Sequence, residues 1–285
     1  MYRALGQPFE NKGSLGYQTS HESLASLGGS SSTAELDKAR IGTIFASSFG
    51  SLESDLEISD SLAPGKPDSI SPILFSYSVA NAGVGQICIL NGFTGFGTML
   101  TAGDPLEYSS ILLSTGKADV IFCGAIDEYN EDLDTAIKSC GILQENISEG
   151  AAVLILSADA EKSYCRLTKF SSDSLSAYPY IHRIDKNDSA KVLSEIFSVY
   201  EEPEVILPQC NGSYFDEVEK SVLEEKFKTA ELIDAKKYFG ETLGGGYMLN
   251  VSLGAAFIKS GRCKSLLATG IDAHGNFLTA FLDSE

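Results

Sequence analysis

Positive charge is scarce in this chain of 285 residues. Its 21 Lys and Arg stand against 39 Asp and Glu, a net charge of −18, which repels phosphate backbones instead of releasing their counterions. Nucleic acid is excluded as a partner. The six cysteines, at 88, 123, 140, 165, 210 and 263, include no C-x-x-C and no other metal-ligand spacing, so neither a metal centre nor a bound cofactor is expected. They read as reduced cytoplasmic thiols, mostly in the core. The opening Met-Tyr-Arg-Ala-Leu-Gly lacks the apolar stretch of a signal peptide, so secretion is not expected. No Ser or Cys lies in a G-x-S-x-G context. Of the three histidines, His21 and His182 fall in polar segments and read as solvated loop residues. His274 alone sits in a turn that can border a pocket.

No run of ~20 apolar residues occurs, which argues against a membrane span. The nearest imitation is Ser69 to Gly103, 35 positions without a charge but broken by Pro72, Asn81, Gln86, Asn91 and the glycines at 83, 85, 92, 95 and 97. Such a block is expected as elements enclosed inside a protein. The glycine runs Gly92 to Gly97 and Gly244 to Gly246 are not followed by Lys-Ser/Thr, so close backbone packing explains them better than a phosphate loop.

Length fits one large domain or two fused medium ones, and 43% apolar residues with a mean hydropathy of +0.01 is ordinary for a globular chain. Residues 13–33 are rich in Ser and Gly and read as loop, so regular structure is expected to start near Arg40. Arg40 to Ser48 reads as a strand, and Leu52 to Pro72, with three prolines and five acidic residues, as an exposed connection. Asp104-Pro105 is an N-cap followed by proline at the first helical position, opening a helix to about Thr115. Strands are expected at 119–123, 150–157, 204–207, 265–268 and 277–282, and helices at 189–200, 216–228 and 250–260. Alternating helices and continuous apolar strands argue an α/β architecture with buried sheets.

An internal repeat supports this. SILLSTGKADVIFCGAID (110–127) matches AAFIKSGRCKSLLATGID (255–272) at an offset of 145, with Gly116 on Gly261 and Asp127 on Asp272. Both copies read helix, glycine turn, buried strand, Ile-Asp. The expected organisation is a loop-rich segment 1–39 and two similar halves, 40–160 and 161–285.

With these residues in view the chain resembles a family. PILFSYSVANAGVGQICILNGFTG, then STGKADVIFCGAIDE and SEGAAVLIL, are similar to the first half of β-ketoacyl synthases of the thiolase-like fold. AKKYFGETLGGG resembles that family's Lys-x3-Gly-His-x2-Gly-Ala-Ala-Gly motif, and GIDAHGN stands where it has a Gly-Phe-Gly-Gly-x-Asn turn. The resemblance spans about residues 40–285. It implies a layered αβαβα fold of two similar halves.

It also implies where a nucleophilic cysteine and two histidines would stand. Counting 17 back from Gly116 reaches Met99, with Thr98 and Thr101 as neighbours and no thiol among them. The first histidine position is held by Gln209, in Pro208-Gln209-Cys210 ahead of the pair Asp216 and Glu219, and the second by Glu241, while the motif lysine survives as Lys236. A carboxylate at 241 repels a developing enolate, and Met99 cannot carry a thioester.

The expectation is a catalytically degenerate subunit of the chain-length-factor type, or of the ketosynthase-like kind found with aryl polyene systems. It would pair with an active ketosynthase, or with itself, and meet acyl carrier protein through that complex. Alternatives are an acyl transferase or hydrolase using Thr101, Cys210 or Glu241, and a stand-alone acyl-binding protein; His274 is a further candidate for the pocket. The charge-free block is also the expected dimer contact, for which Gly95→Arg suggests itself as a probe.

Overall fold

The computed structural model describes residues 2–4, 37–62, 70–143, 146–159, 163–175, 180, 185–210 and 212–284. Among the described residues, ten strands form two five-stranded sheets. In the first, β1 (Tyr2–Ala4), β2 (Ile41–Ala46), β3 (Gly97–Leu100), β4 (Val120–Asp127) and β5 (Gly150–Ser157) lie in the order β1-β5-β4-β2-β3. In the second, β6 (Arg166–Ser174), β7 (Val205–Leu207), β8 (Glu231–Leu232), β9 (Ser265–Ile271) and β10 (Asn276–Asp283) lie in the order β6-β10-β9-β7-β8. From the first-named edge inward the pairings are antiparallel, antiparallel, parallel, parallel in both sheets. The two halves are therefore copies of one topology, with β4 equivalent to β9 as the repeat requires.

Between the sheets lie α4 (Pro105–Ser114) and α9 (Gly245–Lys259). Asp104 caps α4, accepting from Leu106 N at 2.8 Å, with Pro105 in the first turn, and Gly116 and Gly261 close the two helices at φ +65° and +76°, the left-handed turn that glycine supplies without strain. Tyr247, Met248, Val251, Ala255 and Ile258 of α9 enter one core with Ile121 and Leu154 of the first sheet and Leu266 and Ala280 of the second. At Gly254 any Cβ would come within 2.6 Å of Leu266 Cδ2, so that glycine sets how closely α9 approaches β9.

The outer layers differ. Helices α6 (Lys186–Ser198) and α7 (Phe215–Lys226) cover the second sheet with Leu193, Phe197, Phe215 and Leu223, all buried against Phe277 and Ile206. Over the first sheet, α1 (Leu52–Leu62) and α2 (Pro72–Tyr77) bury no residue and α3 (Ala82–Asn91) buries only Val84. Among the described residues the remaining α-helices are α5 (Glu131–Ser139) and the one-turn α8 (Lys236–Phe239), and a 3-10 turn, Lys38–Arg40, leads into β2.

Several expectations need correction. Regular structure begins at Tyr2, since β1 extends the first sheet beside β5. Leu52 to Pro72 is not a plain connection: α1 fills Leu52–Leu62, and Pro72 opens α2 behind the cap Ser71. The last long helix starts five residues early, at Gly245. The charge-free block is not enclosed. It carries the most exposed aliphatic side chains of the first half, Ile73 at 71%, Ile89 at 74% and Leu90 at 65%. Gly95 is no surface probe, because a Cβ there would lie 2.2 Å from Ile41 O; Gly95→Arg breaks the fold whatever the block contacts.

Candidate functional site

Parallel strands present their carboxyl ends to a crevice, where open α/β sheets place ligands. Here β2 runs out into Ser47-Ser48-Phe49, β4 into Glu128, β7 into Pro208-Gln209-Cys210 and β9 into Asp272-Ala273. The two inner helices point their N-termini at the same place. Two aspartates related by the repeat cross between the halves there. Asp272 accepts from Gly103 N at 3.0 Å, just ahead of α4, while Asp127 accepts from Ser47 Oγ at 2.7 Å, from Ser48 N at 3.0 Å and from Gly244 N at the start of α9. Burial raises the Asp127 carboxyl even though these donors pull it down. The Ser47 hydroxyl also accepts from Gly50 N at 2.8 Å, so it is committed to the turn.

Gly103 is the residue at the turn from β3 to α4. Its φ is +92° and nothing lies within 4 Å of where a Cβ would project. It borders a cleft of about 290 Å³, open mouth included, together with Ser48, Thr101, Gly244, Tyr247 and Asp272. Behind it, Tyr247 Oη donates to the buried Asp104 at 3.2 Å. Met99 and Thr98 lie within β3, paired with Phe45 and Ile44. The count of 17 from Gly116 overshoots the turn by four residues because α4 occupies only Pro105–Ser114.

Lys236 and Glu241 form a buried ion pair at 2.5 Å, their side chains 4% and 0% exposed. The second Glu241 oxygen accepts from Leu243 N at 2.6 Å. Burial pushes this carboxyl up and Lys236 pulls it back. Gly246 leaves room for the pair, since a Cβ there would meet Lys236 Nζ at 2.9 Å, and Gly244 lets the head of α9 approach the turn after β2, since a Cβ there would meet Ser48 Oγ at 2.6 Å. Close packing is thus the role of this glycine run.

Gln209 donates from Nε2 to Asp216 at 2.7 Å and from its backbone to Glu219 at 3.2 Å, and Glu219 also holds the Thr269 hydroxyl at 2.5 Å. Cys210 has φ +41° and is half-buried; burial, then Glu219 and Asp216, push its thiol far above the ordinary range, so it is protonated near neutrality and a poor nucleophile. His274 is exposed on the β9–β10 turn, its N–H donating to Asp272 at 2.9 Å. His21 and His182 lie outside the described residues.

The structure thus joins Lys236 to Glu241 and sets Gln209 beside Cys210, and it gives Thr101 to the cleft. Sequence reasoning passed over Gly103, Tyr180 and Tyr247 as site residues. Gly103 was signalled by the Asp-Pro cap directly after it. No comparable signal marks the two tyrosines.

Burial raises two further carboxyls, Asp104 to about 7 and Glu219 to about 8, from about 4 in an unfolded chain. The folded chain holds protons that the unfolded one releases, so the contribution of both groups is full below about pH 4 and falls as pH rises to about 8. Glu219→Gln is expected to flatten the upper part of that fall. Urea midpoints at pH 5, 6.5 and 8 test this, and a wild-type loss between pH 6.5 and 8 that the variant fully retains would contradict it.

Comparison with known proteins places this geometry. No family model matches the chain, and no curated protein does. Solved structures match in fold. The ishigamide ketosynthase/chain length factor superposes at a TM-score of 0.73 with 13% identity, over 88% of this chain and 75% of that one. A β-ketoacyl synthase from Burkholderia phymatum STM815 gives 0.72 with 12% identity, over 90% and 78%. A type II PKS acyl-carrier protein in complex with its ketosynthase bound to the hexaketide (AntDE:AntF) gives 0.69 with 18% identity, over 88% and 76%. The chain has the thiolase-like ketosynthase fold.

Proposed function

We propose that this chain is a catalytically degenerate ketosynthase-like subunit of the chain-length-factor type, acting beside an active ketosynthase in polyketide, aryl polyene or related chain elongation. The observation that carries the reading is the emptied turn at the head of α4. Acyl condensation needs a nucleophile that forms a thioester and groups that stabilise the enolate. Gly103 offers no side chain, and its N–H, the natural donor to an oxyanion, is taken by Asp272. At the two histidine positions assigned through the resemblance stand Gln209, bound to Asp216, and Glu241, bound to Lys236.

The partner is argued from the first sheet. β3 is its terminal strand, flanked by the apolar, exposed faces of α2 and α3. An unpaired edge with such flanks invites another sheet, and a subunit of the same fold supplies one by two-fold pairing. At the equivalent edge of the second half, β8 has two residues, and Glu231 is engaged by Arg262 at 3.0 Å. Acyl carrier proteins are acidic, so the net charge of −18 assigns their docking to the partner. Free thiols at all six cysteines fit a reducing compartment such as the cytoplasm. Among the described residues no helix is long and apolar enough to cross a membrane.

The enzyme alternative is disfavoured at each of its residues: Cys210 is held protonated, Glu241 is locked to Lys236, and the carboxylate that shares the cleft with Thr101, Asp272, is already taken by Gly103 N, His274 N and Asn276. Co-expression with an active ketosynthase, followed by affinity capture of this chain, tests the reading; a stoichiometric complex is expected, and a persistent 30.4 kDa monomer would remove its motive. Gly103→Cys probes the turn itself. A side chain at φ +92° costs about 1–2 kcal/mol but has room, so the new thiol should be alkylated, as read by peptide mapping, while condensation of malonyl thioesters stays absent. Condensation by that single variant would show that Gln209 and Glu241 do not disable the site.

A further inference from the structure

One aromatic side chain stands in the crevice without belonging to any of its strands. Tyr180, supplied between β6 and α6, is 2% exposed. It packs among Phe49, Leu143, Ile147, Leu243 and Ala273. Those residues come from separate segments: the turn after β2, the stretch leading into β5, the approach to α9 and the β9–β10 turn. They converge only at the carboxyl ends of the strands, the place such a sheet reserves for a ligand. The hydroxyl is buried, and burial first, then the charges of Glu241, Asp127 and Asp272, oppose its ionisation. These are the carboxylates that bind Lys236, the head of α9 and the head of α4.

We propose that Tyr180 is a built-in plug that fills the part of the crevice beside Glu241, next to the cleft left open at Gly103, where the acyl part of a short neutral thioester would otherwise lie. The inference rests on the reading of this crevice as an emptied acyl site and deepens it: the chain has lost the reacting groups and also occupies part of the substrate's space with its own side chain. The chemistry of the walls selects the ligand. Apolar side chains surround the ring and carboxylates lie at its tip, so an uncharged thioester is accepted and a fatty acid anion is repelled. Truncating the ring leaves an apolar cavity, the kind that takes up small apolar ligands.

The test is calorimetric binding of the N-acetylcysteamine thioester of hexanoic acid to the full chain and three variants. Wild type and Tyr180→Phe, which keeps the ring, should show no binding at about 1 mM. Tyr180→Gly should bind at least 10-fold more tightly than wild type, and hexanoate should be at least 10-fold weaker than the thioester. Tyr180→Val repeats the test with part of the packing kept, should the glycine variant not fold. A folded Tyr180→Gly or Tyr180→Val without thioester binding overturns the proposal, as does wild-type binding of equal strength. Loss of fold in both variants overturns it too, by making Tyr180 a plain core residue. Failure here leaves the subunit reading intact, since that reading fails by a different sign, an acyl group on this chain.

Discussion

Lys236→Met is expected to destabilise the fold by roughly 3–5 kcal/mol, the cost of leaving one member of a buried ion pair without its partner. Glu241 is fully buried, and its remaining hydrogen bond, from Leu243 N, satisfies one oxygen only. The loss should depend on pH. Burial already raises the Glu241 carboxyl, and without Lys236 it rises further, so the folded variant binds a proton that the unfolded chain releases above about pH 4.5. The penalty is therefore smallest near pH 4 and grows as pH rises. The double variant Lys236→Met with Glu241→Met removes both charges and should recover most of the loss. Denaturant titrations at pH 5 and 8 check this. A penalty under about 1 kcal/mol at both values would mean that water reaches the pair.

The second large effect concerns association. Ile89 and Leu90 on α3 are 74% and 65% exposed, and under the proposed pairing a subunit joining β3 edge to edge would cover them. Obligate interfaces of this kind bury well over ~2,000 Å², with the energy concentrated in a few central apolar residues. Replacing both by Glu places two charges on that face and should weaken association more than about 100-fold. The variant should still melt in one cooperative transition, lowered only by the stabilisation that association no longer supplies, since neither residue belongs to the core. Light scattering of the variant at micromolar concentration reads the first effect and thermal melting the second. Unchanged association would move the contact elsewhere; loss of the cooperative transition would make the two residues part of the fold.

What the sequence disclosed follows from how locally each feature is written. The α4 start is carried by Asp104-Pro105 alone, and the duplication by an 18-residue match that the two sheet orders repeat. Features that depend on the far side of the chain were less legible. LESDLEISDSL forms α1, yet its acidic surface and the prolines that follow imitate a loop. RLTKFSSDS forms β6, a polar strand paired along one edge by β10, and it lacks the apolar run that marks buried strands. α5 was missed although Asn130 caps it, accepting from Leu133 N at 2.9 Å. Absence of charge between Ser69 and Gly103 reads equally as enclosure and as a dimer contact, and the exposure of Ile73, Ile89 and Leu90 removes the first of these. Met99 came from a fixed spacing, and a shorter α4 moves the turn to Gly103. Tyr180 has no local signal at all, because its role depends on four segments meeting around it.

The most direct test is intact-mass spectrometry of this chain co-purified with an active ketosynthase, after exposure to acyl-loaded acyl carrier protein. One complex is expected, in which the acyl group adds its mass to the ketosynthase and this chain keeps its unmodified mass. A stable acyl adduct on this chain, whichever residue carries it, would contradict the non-catalytic reading.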